Sequence, residues 1–468
     1  RQLMVKIIEQ INDNVPMPCR RATISLLLQC IPAFLLVTGL AWAQDQEVVQ
    51  EPEAAQDEVS EPAAGPIDLQ IGMTEEEKEQ VEEVLEEAGE TARGKEAALN
   101  EDPEAQRRSQ LQEEPILRQL WKGIQIYGSV RLHAINNFNE KNELTEFNLG
   151  DGASRIGIRG ELPLGKKWWL FGRAEAGFDV LDTFTEKGGN EENPEDGLTK
   201  RLLYGGFDSE NLTMSWGKNW SAYYKIAGMT DRFSIFGGSA AGVYNARTDG
   251  GPTGTGRADD VIQARIHTSG ISALNIKPFN LNVQYQYGRP IPWVEDRYYG
   301  DSYGASAWLE TEKDRGIGLA AHVSKIDNLE DGRIRGAGIN GDARAIATAF
   351  RSYGDHWYAA LVVARLENIM TTDTDQYVDG YGVELYAQWQ FKDRWWLIGG
   401  GNWFGPDSDD PEAREYEVHY YVLGFRYTLD SFNRMVYLEY RMDNGLLHDG
   451  TPRRNELTVG FRWDFGHK

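Results

Sequence analysis

Residues 123–134 read GIQIYGSVRLHA, and their polarity alternates. Ile124, Ile126, Val130, Leu132 and Ala134 take one side of an extended chain; Gln125, Tyr127, Ser129, Arg131 and His133 take the other. Successive side chains of a strand point to opposite faces, so this period of two predicts a strand with one apolar and one polar face. The pattern recurs down the chain. Residues 279–287 interleave apolar or aromatic residues with Asn280, Asn282, Gln284 and Gln286. Val383, Leu385, Ala387 and Trp389 oppose Glu384, Tyr386, Gln388 and Gln390, and Val436, Leu438, Tyr440 and Met442 oppose Tyr437, Glu439 and Arg441. Near the end, Leu457, Val459, Phe461, Trp463 and Phe465 oppose Glu456, Thr458, Arg462 and Asp464. Ten such residues at ~3.3 Å rise and ~40° tilt span ~25 Å, the apolar height of an outer-membrane barrel. A sandwich would alternate too, but its polar face would meet bulk water.

The links sort into two kinds. Short ones fall at 163–167, 208–210, 313–315, 353–355, 392–394 and 430–433, with a somewhat longer one at 269–277. Longer polar ones alternate with them at 136–152, 181–199, 289–303, 326–341, 368–380, 406–415 and 444–454. Short turns at one end and long loops at the other predict an all-β fold, a transmembrane antiparallel β-barrel of about sixteen strands. Two short links are basic and run into paired indoles, Lys166-Lys167-Trp168-Trp169 and Lys392-Asp393-Arg394-Trp395-Trp396, as suits the headgroup level of a membrane.

One connection, residues 219–257, is far longer than the rest and separates a fifth strand (212–218) from a sixth (258–267). Loops of this length are functional or disordered, and the Tyr, Phe and Gly content points to packing. Folded inward, it would narrow the channel. Lumen parity gives Arg131, Arg155, Arg159, Arg173 and Arg201 on the first four strands and Arg265 on the sixth. They can set a transverse field, or pair locally with Glu161 and Glu175. Asp231 and Asp249 are the loop's acids; Tyr223, Tyr224, Phe233, Phe236 and Tyr244 either line a solute path or pack the loop against the wall.

Composition refines this picture. The chain of 468 residues has a formal charge of -25, which argues against nucleic acid as a partner. Its two cysteines, Cys19 and Cys30, precede everything described above, which excludes a disulfide scaffold or cysteine-held metal in the barrel. Residues 1–43 read as a signal peptide: Arg20 and Arg21, an apolar stretch, then Ala41-Trp42-Ala43. Met17 reads as the start within an over-extended sequence. Residues 44–118 carry 23 acids against 6 bases, with a helix expected at 74–89 behind a Thr74/Glu77 capping box. That segment is either a solvated periplasmic spacer or a helix that self-associates or touches the cell wall. Residues 119–468 are the barrel domain. Gly-x-Ser-x-Gly, His-Glu-x-x-His and Walker sequences are all missing and the seven histidines are scattered, so no enzyme, cofactor or metal site is expected.

Ser215-Trp216-Gly217-Lys218-Asn219, Tyr223-Tyr224, Thr230-Asp231, Phe236-Gly237-Gly238 and Thr255-Gly256-Arg257-Ala258-Asp259-Asp260 occur in that order, and the last strand ends in Trp463-Asp464-Phe465. In this the chain resembles the general diffusion porins of Gram-negative bacteria, trimeric sixteen-stranded barrels whose third loop folds into the pore. The resemblance implies a homotrimer in the outer membrane, in contact with lipid and lipopolysaccharide, that passes ions and small hydrophilic solutes passively. A solute-selective channel for phosphate or oligosaccharides is the alternative. It further implies that the wall arginines face Asp231 across the pore, with Arg131, Arg159 and Arg173 as the opposing group. Two departures stand out. Ser234-Ile235 replace the Pro-Glu that enteric members carry before Phe-Gly-Gly, and Gly466-His467-Lys468 follow the terminal aromatic.

Overall fold

The computed structural model describes residues 107–108, 110–111, 123–139, 143–181, 198–268, 279–312, 314–407, 415–429 and 433–466. The signal peptide, the helix expected at 74–89 and nearly all of the acidic segment lie outside the described residues, as do the 269–277 link and most of the acidic loops.

Seventeen strand segments follow one another. They are β1 (Ile124–Phe138), β2 (Leu144–Asp151), β3 (Arg155–Leu164), β4 (Trp168–Phe178), β5 (Leu198–Asp208) and β6 (Leu212–Trp220). After the long loop come β7 (Arg257–Thr268), β8 (Phe279–Tyr287), β9 (Tyr299–Glu312), β10 (Arg315–Ile326), β11 (Ala343–Gly354) and β12 (Trp357–Thr371). The chain ends with β13 (Tyr377–Lys392), β14 (Trp395–Pro406), β15 (Val418–Thr428), β16 (Arg434–Asp443) and β17 (Asn455–Phe465). β1 pairs antiparallel with both β2 and β3, each strand from β3 onward pairs antiparallel with the next, and β1 closes the ring on β17 from Gly128↔Phe465 to Phe138↔Asn455. β2 and β3 share one position, since the two halves of β1 pair with one each. The barrel therefore has sixteen staves and no open edge.

The break inside that shared stave has a local cause. Ala153 takes a left-handed conformation (φ 66°), and Asp151 Oδ1 accepts the Ser154 amide at 2.6 Å. Gly152 and Ser154 then turn to β1, where Ser154 Oγ accepts the Arg131 amide at 2.8 Å.

Alternation assigns the faces as the sequence predicts. Ile126 and Val459 are 64% and 48% exposed on the outer wall, while their neighbours Tyr127 and Thr458 are buried inside. Val283 faces out and Gln284 in. Leu385 has outward parity but is only 8% exposed, packed with Leu361, Val383 and Trp403. The Trp pairs divide between faces, as a strand requires: Trp168 is exposed and Trp169 buried. The loop expected at 368–380 is shorter because β12 and β13, of 15 and 16 residues, extend well past membrane height; only 372–376 joins them. An arginine on the lipid face near mid-height costs ~2–4 kcal/mol in such barrels. Val283→Arg should therefore lower the yield of heat-resistant folded barrel on a gel, and Asn280→Arg on the lumen side of the same strand should not. Equal yields would reverse the face assignment.

Residues 221–256 turn into the barrel, beginning with α1 (Tyr224–Ala227) and a 3-10 turn at Gly228–Thr230. The largest apolar core lies between this segment and the wall. β11 makes room for it: Ala343, Ala345, Ala347 and Ala349 face inward without exposure, while Ile346 faces out. Gly382 on β13 allows the closest approach, since a Cβ there would sit 1.8 Å from the Ala240 carbonyl oxygen.

Candidate pore constriction

The inward loop is held by wall side chains that accept its backbone amides. Glu384 Oε1 accepts from Ala240 and Ala241, both at 2.8 Å, and its Oε2 accepts from the Thr230 hydroxyl at 2.6 Å. Glu439 accepts the amides of Ser234 (2.7 Å) and Ile235 (3.2 Å), and Asn402 that of Ser239. The hydroxyls of Tyr358 and Tyr420 donate to the carbonyls of Met229 and Phe236. Gln284 and Gln286 tie down Gly254 and Gly251. An unpaired buried amide is costly, so these lumen-facing polar residues make inward docking of a long segment affordable.

At the loop's root Lys218 reaches Asp249 (2.9 Å) and Asp259 (2.6 Å), and Arg257 reaches Asp249 (3.1 Å). Burial opposes the Asp249 charge, but Lys218 and Arg257 hold its carboxyl below the ordinary range. Asp249 is thus tied to the loop's root by residues of β6 and β7.

Beside the loop lies a space of about 600 Å³ lined by Arg131, Arg155, Arg201 and Arg462 from the wall and by Asp231, Arg232 and Arg257 from the loop side, with His133, Asp151, Trp220, Tyr224 and Tyr244. Asp231 accepts from the hydroxyls of Tyr224 (3.0 Å) and Tyr244 (2.8 Å). Burial first, then the adjacent carboxylate, push both phenols above the ordinary tyrosine range, so they remain donors. Trp220 stacks on Tyr224 at 3.9 Å, and the Arg257 guanidinium lies over Trp220 and Tyr244. On the other side of Gly237 and Tyr244, a second space of about 370 Å³ carries Arg247, Arg441 and Arg453 with Asp373 and Asp443.

Of the residues singled out in the sequence, the structure brings Arg131, Arg155, Arg201, Tyr224, Asp231, Phe233 and Tyr244 to one space. It does not bring Arg159, Arg173 or Arg265 there. Arg159 donates to Gln125, and Arg173 to Tyr127 and to Glu175 at 2.9 Å, closer to the short turn at 165–167. Arg265 reaches Asn280 at 3.4 Å. Tyr223 and Phe236 are buried: the first donates to the Ala241 carbonyl, and the second packs under the Arg441 guanidinium. Arg232, Arg257 and Arg462 add further cations to the lining; Arg462 already had lumen parity in the sequence, directly across from Arg131.

The sequence model of the Gram-negative porins matches residues 105–446. No curated protein matches the chain significantly in sequence. Among solved structures, OmpF of Salmonella typhi, in complex with daunomycin, superposes with a TM-score of 0.59 at 18% identity, over 73% of this chain and 97% of that one. An anion-selective porin from Comamonas acidovorans gives 0.53 at 14% identity, over 73% and 99%. The trimer form of OmpT, an outer membrane protein of Vibrio cholerae, gives 0.51 at 14%, over 73% and 99%. At these identities the structural likeness is one of fold.

Proposed function

The chain belongs to the Gram-negative porin family, channels of the outer membrane that solutes cross by passive diffusion, and from that premise we propose that it passes small hydrophilic solutes with a preference for anions. One observation carries the preference. The constriction presents Arg131, Arg155, Arg201, Arg232, Arg257 and Arg462 to the lumen against only Asp151 and Asp231. The carboxylates that temper these charges stand behind them; the Glu175 side chain, for instance, is 3% exposed and is shared by Arg173 and Arg201. Asp151 is committed to the amides of Ser154 and Val180, and Asp231 to two phenols. Charge lining a narrow pore sets ion preference without a tight site. The porin from Comamonas acidovorans, described as anion-selective, has the same fold.

Three copies are proposed to assemble through the outer wall of the first staves. There Ile126, Ile156, Ile158, Leu198 and Leu203 surround a shallow apolar groove floored by Gly157 and Ala174. OmpT of Vibrio cholerae, of the same fold, occurs in a trimer form.

The test is a planar-bilayer recording of the purified protein in a potassium chloride gradient. A reversal potential on the chloride side, with conductance steps grouped in threes, is the expected result. A reversal potential on the potassium side would reject the anion preference, and single independent steps would reject the trimer.

A further inference from the structure

Four guanidiniums stand side by side on neighbouring staves: Arg462 on β17, Arg131 on β1, Arg155 on β3 and Arg201 on β5. Strand register fixes their order. Arg131 pairs directly with Arg462, and Arg155 pairs with Ser129, two residues from Arg131. Across β4, Gly177 pairs with both Arg155 and Thr199. A Cβ on Gly177 would come within 3.1 Å of Arg201 Cδ, so the glycine lets Arg201 lie across β4 toward the centre of the row.

The outer two members each have a carboxylate partner. Arg462 meets Asp464 at 2.7 Å, and Arg201 meets Glu175 at 2.9 Å. The inner two do not. Arg131 gives its Nε to Ser129 Oγ at 2.9 Å, and among the described residues neither it nor Arg155 has a carboxylate within ion-pair distance. Both line the same space. Adjacent guanidiniums without a direct carboxylate partner repel and leave forked donors unused. A solute with two negative charges and several oxygens relieves both, because guanidinium pairs bind oxyanions through parallel hydrogen bonds. A monoanion answers only half of that charge.

We infer that Arg131 and Arg155 form a saturable subsite for a small dianionic oxyanion, of the sulfate or hydrogenphosphate kind, on the path through the constriction. This rests on the anion preference proposed above and goes further by naming a solute class and the two residues that select it. Asp231 lines the same space and repels the same solute, which keeps residence short, as passage requires.

The experiment is single-channel chloride current in planar bilayers with sulfate, hydrogenphosphate or methanesulfonate added on both sides. Sulfate and hydrogenphosphate should reduce the current saturably at concentrations well below that of chloride. Methanesulfonate, with similar oxygens but one charge, should not. Arg155→Gln should raise the half-blocking sulfate concentration on the order of tenfold, the value of one charge-assisted hydrogen-bonded contact. Arg155→Lys keeps the charge without the fork; it should retain the anion preference yet still weaken the sulfate block. Lys392→Gln, at a short turn, should leave the block unchanged. Absence of saturation, equal block by methanesulfonate, or an unaltered block in both Arg155 variants would overturn the subsite. A potassium-side reversal potential in the unmodified protein would overturn the underlying anion preference instead, whatever sulfate does.

Discussion

Glu384→Ala is expected to release the inward loop from β13 and raise single-channel conductance. The carboxylate takes three donors from the loop, the amides of Ala240 and Ala241 and the Thr230 hydroxyl. Hydrogen bonds to a charged group contribute ~1.5–3 kcal/mol each, so truncation removes several kcal/mol of docking and leaves the donors to find water. Water is available only if the segment lifts off the wall. Glu384→Gln tests the assignment from the other side. Its amide oxygen can still accept from both backbone amides, and its NH₂ can donate to the freely rotating Thr230 hydroxyl, so conductance should stay near that of the unmodified channel. Gly382→Ala approaches the same contact by crowding, because its Cβ would sit 1.8 Å from the Ala240 oxygen. Faster hydrogen exchange of the Ala240 and Ala241 amides in Glu384→Ala and Gly382→Ala, with little change in Glu384→Gln, is the accompanying signature. Unchanged conductance and exchange in Glu384→Ala would mean that Glu439, Asn402 and Tyr420 hold the loop without it.

The barrel was legible in the sequence because a lipid face and a water-filled lumen impose strict alternation, and alternation survives in a single sequence. Ile126 beside Tyr127, and Val459 beside Thr458, are read correctly from parity alone. What parity cannot supply is height along the pore and partners far away in sequence. Arg159 and Arg155 share a face of β3, yet only Arg155 reaches the constriction; a shift of four positions along the strand decides which arginine meets the loop. Glu384 is plainly a polar-face residue, but its acceptance of loop amides joins positions 143 and 144 residues apart. A weaker signal was present at ARAIATAF, residues 343–350. There the lumen face is small and apolar where polar residues would be expected, which marks a wall covered by something other than water. Loop ends were misjudged at 368–380 for a related reason. Strands that continue above the membrane lose the lipid-facing signal but keep their ladder, as Met370↔Val378 and Thr371↔Tyr377 do.

Reversing the charge of the central pair, Arg131→Glu with Arg155→Glu, is expected to invert the channel from anion to cation preference. The substitution removes two positive charges and adds two negative ones beside the narrow part of the lumen. One unit charge acting on an ion ~8 Å away contributes ~2 kcal/mol at an effective dielectric near 20 and ~0.5 kcal/mol in bulk water. Even the lower figure, taken four times, exceeds the ~1.4 kcal/mol that corresponds to a tenfold change in relative permeability. Salt reduces it, with a Debye length of ~10 Å at 0.1 M, so the shift should shrink as the bathing concentration rises. The comparison that isolates position from charge is Arg159→Glu. It changes charge on the same strand and face, but from a residue that donates to Gln125 outside the constriction space. Its reversal potential in a potassium chloride gradient should move in the same direction by much less than half as far as the double variant. If Arg159→Glu shifts the potential as strongly as the central pair, selectivity is set by the summed charge of the lumen, and the row beside the loop has no privileged place in it.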